Sequence, residues 1–137
     1  MDKKFLLQIL TPKQTYINKL VDSIQVFTDT GEVNILPNHT EYLANVTISK
    51  LTITCDGNKE IYAVGGGAIH FYEKENMCKL LLRNIFASDE IDVVLAKQAQ
   101  IEAEEKLKSS LSLVEHNRAE RVLKRAINML DIKNENK

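Results

Sequence analysis

The sequence predicts a β + α protein: an N-terminal antiparallel β-sandwich over residues 1–88, followed by a C-terminal antiparallel two-helix hairpin over residues 89–137. Three observations point there. Up to Ser88 the chain runs in short stretches of alternating apolar and polar residues separated by turn-forming residues. From Asp89 onward it contains no proline and no glycine, and its apolar residues recur at helical spacing. Basic residues also change in kind, because Arg118, Arg121 and Arg125 are three of only four arginines and all fall in the second predicted helix.

Strands are expected at Phe5 to Leu10, Gln14 to Ile17 and Ser23 to Thr28. The clearest alternation is Leu51-Thr52-Ile53-Thr54-Cys55, which sets Leu51, Ile53 and Cys55 on one face and two threonines on the other. Asp56-Gly57-Asn58 then interrupts it, and Lys59 to Val64 resumes an extended pattern. Asp-Gly tolerates the positive backbone angles of a tight turn, so these runs form a β-hairpin. Ala68 to Tyr72 and Met77 to Leu82 flank the charged turn Glu73 to Asn76 and form a second one. Gly65-Gly66-Gly67 lacks the spaced glycines and following helix of a dinucleotide-binding turn, and reads as a bend or bulge between strands. Several short strands joined by tight turns pack as a small antiparallel sandwich or barrel.

Ser88-Asp89 offers a helix cap, with Asp89, Glu90 and Asp92 placing negative charge where the helix dipole favours it. Ile91, Leu95, Ala99, Ala103 and Leu107, with Ala96 beside them, make a narrow stripe on which a second helix can lie close. That helix presents Ala119, Val122, Leu123, Ala126, Ile127 and Leu130, and the short link from Ser109 to Leu113 makes the two antiparallel neighbours. A disordered tail is expected from about residue 132. Residues 89 to 108 carry six acidic and three basic side chains, and 114 to 130 carry four basic and two acidic. The helices therefore attract each other modestly. Arg118, Arg121, Lys124 and Arg125 cannot all serve a partner helix, so some face outward, where arginine forks suit carboxylates and phosphates.

Composition excludes several classes. The net charge of −1 and the even balance in both halves offer no electrostatic basis for binding nucleic acid. The apolar run Phe5 to Leu10 is too short for a signal-peptide core or a membrane span, so a cytosolic chain, free or peripherally bound, is expected. Cys55 and Cys78 form no metal or redox pair and read as reduced structural thiols. The triplets at Asn38 and Asn45 match a glycosylation pattern without a secretion signal to support them. Glu32 and His39 flank one loop, but no nucleophile or paired carboxylate accompanies them, and His70 lies in a strand run. No metal and no catalytic centre is expected. A sandwich adaptor dimerising through its helical hairpin fits these residues too.

Four segments carry a resemblance over essentially the whole chain: Leu7-Gln8-Ile9-Leu10-Thr11-Pro12; Gly31-Glu32-Val33-Asn34-Ile35-Leu36-Pro37-Asn38-His39; Gly65-Gly66-Gly67-Ala68; and Ile91-Asp92 leading into the alanine-rich helix. Together they resemble the epsilon subunits of bacterial F-type ATP synthases, equivalent to mitochondrial delta. The resemblance implies a non-catalytic subunit at the cytoplasmic face of the bacterial membrane, reaching that membrane only through its complex. Its sandwich would bind the gamma subunit and the c-ring, with Glu32 and His39 facing the polar loops of the ring and Leu36 and Pro37 shaping the contact. Asn34 stands where the family usually has glycine, and asparagine also tolerates left-handed backbone angles.

The same resemblance implies that the hairpin has a folded state and an extended state. The extended state inserts among the catalytic alpha and beta subunits and blocks ATP hydrolysis, with Arg118, Arg121, Lys124 and Arg125 as the contact set. Some relatives stabilise the folded state with ATP through a motif of isoleucine or leucine, aspartate, two variable residues, arginine and alanine. Here Leu95 stands where that arginine belongs. Ile91, Asp92, Ala96, Arg121 and Arg125 remain as a weak nucleotide site, and no tightly bound cofactor is expected.

Overall fold

Strand pairing organises the first half of the chain in the computed structural model, which describes residues 3–109 and 112–135. The strands are β1 (Phe5–Leu10), β2 (Thr15–Val21), β3 (Ser23–Thr28), β4 (Gly31–Ile35), β5 (Tyr42–Cys55), β6 (Asn58–Tyr72), β7 (Met77–Leu82) and β8 (Ile85–Ala87). They pair in the order β2-β1-β7-β6-β5-β3-β4, with β8 on β6. The chain divides into two compact units between Phe86 and Ala87, two residues ahead of the expected boundary.

The long strands β5 and β6 hold the sandwich together. They pair along nearly their whole length, from Tyr42 opposite Phe71 to Cys55 opposite Asn58. The far half of β6, Gly67 to Tyr72, also pairs with β7, whereas the far half of β5 pairs with β3. Each strand thus serves both layers. Phe5, Leu7, Ile9, Ile24, Val26, Leu51, Ile53, Ile69, Phe71 and Leu80 are fully buried at alternating positions, so the period-two pattern builds the core. The Asp56-Gly57 hairpin forms as expected, with Asp56 at φ 51° and Gly57 at φ 80°.

The structure departs from the sequence reading at several places. The expected glycine bend is continuous strand within β6. An added Cβ on Gly67 would lie 1.9 Å from the Leu81 carbonyl oxygen, and one on Gly65 would lie 2.2 Å from the Asn84 side chain. The amide of Arg83 donates to Gly66 O at 2.9 Å and that of Gly65 to Asn84 O at 3.0 Å. Gly67 is therefore required by close backbone approach and Gly65 by the Asn84 side chain, while Gly66 sits at φ 93°, an angle that favours glycine. The sandwich also contains one parallel pair, β1 with β7, running from Leu6 opposite Met77 to Leu10 opposite Leu81. Strand direction depends on long-range topology, so no local signal announces it. Part of the Gly31 to His39 loop is strand β4, and Asn34 lies within it opposite Gln25. No left-handed backbone is needed at Asn34; the residue that adopts one is Asn38, at φ 63°.

Ion pairs pin the sandwich at its surface. The Lys4 ammonium lies 2.8 Å from Asp22 and 2.9 Å from Asp56. Lys4 and the amide of Asp56 hold the Asp22 carboxyl below its ordinary 3.8. The amide of Glu73 and the ring of His70 hold Glu41 below 4.5, and the Tyr62 hydroxyl with Lys19 does the same for Glu60. A carboxylate whose folded value is depressed contributes stability above its unfolded value and loses it as pH falls through the folded one. Stability in a urea-denaturation series should therefore stay level from neutrality to about pH 4.5 and decline below it. Asp22→Asn should lower the plateau and flatten the decline, and an unchanged acid slope would remove these pairs from the account.

In the second unit a 3-10 turn, Ser88–Glu90, precedes α1 (Val93–Ser109) and α2 (Leu113–Glu135). The cap is Asp92 rather than Ser88-Asp89: its Oδ1 accepts the amides of Val94 at 3.0 Å and Leu95 at 3.2 Å. Ile91, just ahead of it, is extended and buried. Ser112 Oγ caps α2 by accepting the Glu115 amide at 3.1 Å, and residues 110 and 111 of the link lie outside the described residues. Ala96, Ala103, Ala119 and Ala126 are buried, so small side chains on both helices permit close approach. Leu95, expected in the stripe, is 62 % exposed. A strict four-residue spacing rotates about 40° per step around a helix of 3.6 residues per turn, and the contact follows the seven-residue spacing instead. The tail expected to be disordered from about 132 is helical through Glu135, with Ile132 only 3 % exposed and Lys133 Nζ donating to Ser88 O at 3.1 Å. Residues 136 and 137 lie outside the described residues.

Candidate interaction sites

Strand β4 separates the residues expected to act together. Glu32 lies near its start opposite Phe27, exposed, with its carboxylate accepting from Gln25 Nε2. Leu36, Pro37 and His39 follow its far end. At about 3.3 Å per residue the strand alone puts roughly 10 Å between Glu32 and Ile35. Leu36 is 57 % exposed. The His39 ring lies edge-on to Phe71 at 5.5 Å and to Tyr42 at 5.8 Å, and its Nδ1 donates to the Thr40 carbonyl at 2.7 Å. Half-buried and held this way, His39 braces the loop, while Leu36 is its outermost apolar group. No nucleophile is seen beside either polar residue among the described contacts, and the arrangement suits docking.

Two exposed leucines missed by the sequence reading lie on the outer face of β5 and β7. Leu43 is 71 % exposed opposite His70, and Leu81 is 51 % exposed opposite both Ala68 and Leu10. The signal was present in Leu80-Leu81-Leu82, where an outward position breaks the alternation with a leucine.

On the helical unit, Arg118, Arg121 and Lys124 are exposed and Arg125 is half-buried. A cavity of 330 Å³ opens between the end of α1 and the start of α2, with Ala99, Ala103, Ala119 and Val122 among its apolar lining and Glu102, Lys106, Glu115 and Arg118 at its edges. The residues expected to form a weak nucleotide site are less favourably placed. Ile91 and Ala96 are buried, and Asp92 is engaged as the cap. Antiparallel helices that set Ala103 and Ala119 in one cavity wall put Ala96 level with Ala126. Arg125 is then within a turn of Ala96, and Arg121 lies one turn further from Asp92.

Asp22, Cys55 and Asp56 place three potential ligand atoms within 4.8 Å of one another. The Lys4 ammonium already sits among them, donating to both carboxylates and lying 3.8 Å from Cys55 Sγ. Cys78 is buried, and burial pushes its thiol up to about 12, an unreactive state.

Two family models cover the chain. The delta/epsilon chain β-sandwich domain of ATP synthase matches residues 4–88, and the long α-helix domain of the same chain matches residues 89–134. The ATP synthase epsilon chain of Ruminococcus albus is 35 % identical over 95 % of this chain and 96 % of its own length. That of Bacillus cytotoxicus is 33 % identical over 96 % and 98 %. Among solved structures, a chain in the Euglena gracilis mitochondrial ATP synthase OSCP/F1/c-ring assembly superposes with a TM-score of 0.81 at 19 % identity, covering 96 % of this chain and 82 % of that one. A chain of the Tetrahymena thermophila central stalk and c-ring gives 0.67 at 15 %, covering 96 % and 98 %, and both show the shared fold. With both domain models in order and relatives above 30 % identity over nearly the full length, the chain belongs to the delta/epsilon family of ATP synthase subunits.

Proposed function

We propose that this chain is the non-catalytic central-stalk epsilon subunit of a proton-translocating F-type ATP synthase, coupling c-ring rotation to ATP synthesis and restraining ATP hydrolysis. The observation that carries the reading is that the two family domains tile the chain and meet within two residues of the division between its compact units. In this reading the β unit binds the gamma subunit and the c-ring. Leu36, Pro37 and His39 form one contact, Glu32 another, and the exposed Leu43 and Leu81 supply apolar area. The helical unit works against acidic groups of the catalytic alpha and beta subunits through Arg118, Arg121, Lys124 and Arg125. No described helix is long and apolar enough to cross a membrane. The subunit is placed peripherally, at the cytoplasmic face of the bacterial membrane, by its complex.

Reconstitution tests this. Membranes depleted of the subunit should regain ATP-driven proton pumping on adding the full chain, and a chain ending at Ser88 should restore association while leaving hydrolysis higher. Glu32→Ala with His39→Ala should weaken association of the soluble head with the membrane. A stable solution dimer that never joins the complex would sink the proposal.

ATP should bind the isolated subunit no tighter than about the millimolar range, worth roughly 4 kcal/mol. Leu95 cannot donate to phosphate, and its side chain lies exposed on α1. Titration calorimetry showing micromolar affinity would overturn this expectation, and Leu95→Arg should tighten binding.

A further inference from the structure

The loop from Leu36 to Thr40, whose His39 ring packs on Phe71, is also hydrogen-bonded to the turn Glu73 to Asn76 between β6 and β7. Asn76 ties that turn to the loop and to β1. Its amide donates to Glu73 O at 3.3 Å and its carbonyl accepts from Leu6 N at 3.2 Å. Its side-chain Oδ1 accepts the Asn38 amide at 2.7 Å, and its Nδ2 donates to the Lys4 carbonyl at 2.9 Å. The residue sits at φ 48°, a left-handed angle that asparagine tolerates better than most side chains. Few side chains combine that tolerance with an amide able to accept on one side and donate on the other. A second fastening lies just beyond the loop. Glu41 accepts the Glu73 amide on Oε1 at 2.8 Å and the His70 ring Nε2 on Oε2 at 2.8 Å.

The loop needs these bonds. Between the end of β4 and the start of β5 it makes no ladder of its own, and Asn38 carries a positive φ. A segment of this kind is ordered by whatever satisfies its backbone. We propose that Asn76 and Glu41 are positioning residues that set the conformation in which Leu36, Pro37 and His39 meet the ring, so that the Glu73 to Asn76 turn is the platform of that contact. The proposal rests on the ring-contact reading of the loop.

The test uses the full chain. Asn76→Gly keeps the turn, because glycine accepts the left-handed angle, but removes the side-chain bonds to Asn38 and Lys4. Asn76→Asp keeps the acceptor for Asn38 and sets a carboxylate oxygen against the Lys4 carbonyl. If the role is positioning, Asn76→Gly should raise amide exchange at Asn38 by about tenfold or more with little change in the core strands. It should also weaken association with subunit-depleted membranes by about tenfold. Asn76→Asp should associate within about twofold of the parent even where it melts lower, so that association and melting temperature do not run together. Glu41→Ala should raise exchange at Glu73 and weaken association in the same direction. Unchanged exchange at Asn38 in Asn76→Gly, or association that merely tracks melting temperature across the set, overturns the proposal. Leu36→Asp separates the two ideas. Parent-like association in that variant removes the ring contact itself, and the proposal with it, whereas weakened association in Leu36→Asp beside parent-like association in Asn76→Gly removes only the positioning role.

Discussion

Gly67→Ala should unfold the β unit, or lower its melting temperature by about 15 °C or more, a larger effect than any surface substitution in this chain. The argument is steric. A Cβ at this position would stand 1.9 Å from the Leu81 carbonyl oxygen and 2.9 Å from the Leu82 Cα, both backbone atoms of a neighbouring strand. Neither can rotate away, so β6 and β7 must separate where they pair, with Gly67 opposite Leu82. Forcing strands of a filled core apart belongs with the overpacking changes that cost about 4 kcal/mol or more. Gly65→Ala supplies the control. Its Cβ would meet the Asn84 side chain at 2.2 Å, and that side chain can turn aside, so the loss should be clearly smaller. Thermal denaturation followed by circular dichroism orders the two, and equal melting temperatures would show that the close approach at Gly67 relaxes cheaply.

On the proposed inhibitory role, replacing Arg118, Arg121 and Arg125 together with alanine should raise ATP hydrolysis by the assembled enzyme about fivefold, equivalent to about 1 kcal/mol in the proposed equilibrium between a folded and an extended hairpin. Assembly should be unaffected. Arg118 and Arg121 are exposed and Arg125 half-buried on α2, and exposed pairs contribute up to about 1 kcal/mol each in water. Against carboxylates in a drier interface the same guanidinium groups form bidentate, charge-assisted bonds that contribute more. Only that difference between environments can bias a switch. Inhibition by the parent should weaken as salt rises, and that sensitivity should diminish in the triple variant. Hydrolysis equal to the parent's in a fully assembled variant would mean that the arginines only solvate the helix.

Much of this protein is written locally. The alternation in Phe5 to Leu10, Ser23 to Thr28 and Leu51 to Ile53 marks faces that are buried in the structure, because a strand's side chains alternate whatever it pairs with, while Cys55 at the end of its run is half-buried. Asp56-Gly57 announces its turn through backbone freedom alone. The loss of glycine and proline after Asp89 announces the helices, and the resemblance carried by Gly31 to His39 and Ile91-Asp92 points to the family whose two domain models match the chain.

What depends on distant partners could not be read in the same way. The triple glycine reads as a bend because what crowds Gly67 and Gly65, the backbone of Leu81 and Leu82 and the side chain of Asn84, comes from a distant part of the sequence. The parallel pairing of β1 with β7 follows from the path of the whole chain. Glu32 and His39 are neighbours in a motif, yet β4 holds them apart, and Asn76 fastens Asn38 from 38 residues away. Leu95 kept its place in a four-residue pattern and lost it in the helix, whose turn is 3.6 residues. Local chemistry sets which elements form and which faces are apolar. Only the tertiary structure, by deciding which distant groups touch, determined why Gly65 and Gly67 are required and what holds the loop from Leu36 to Thr40.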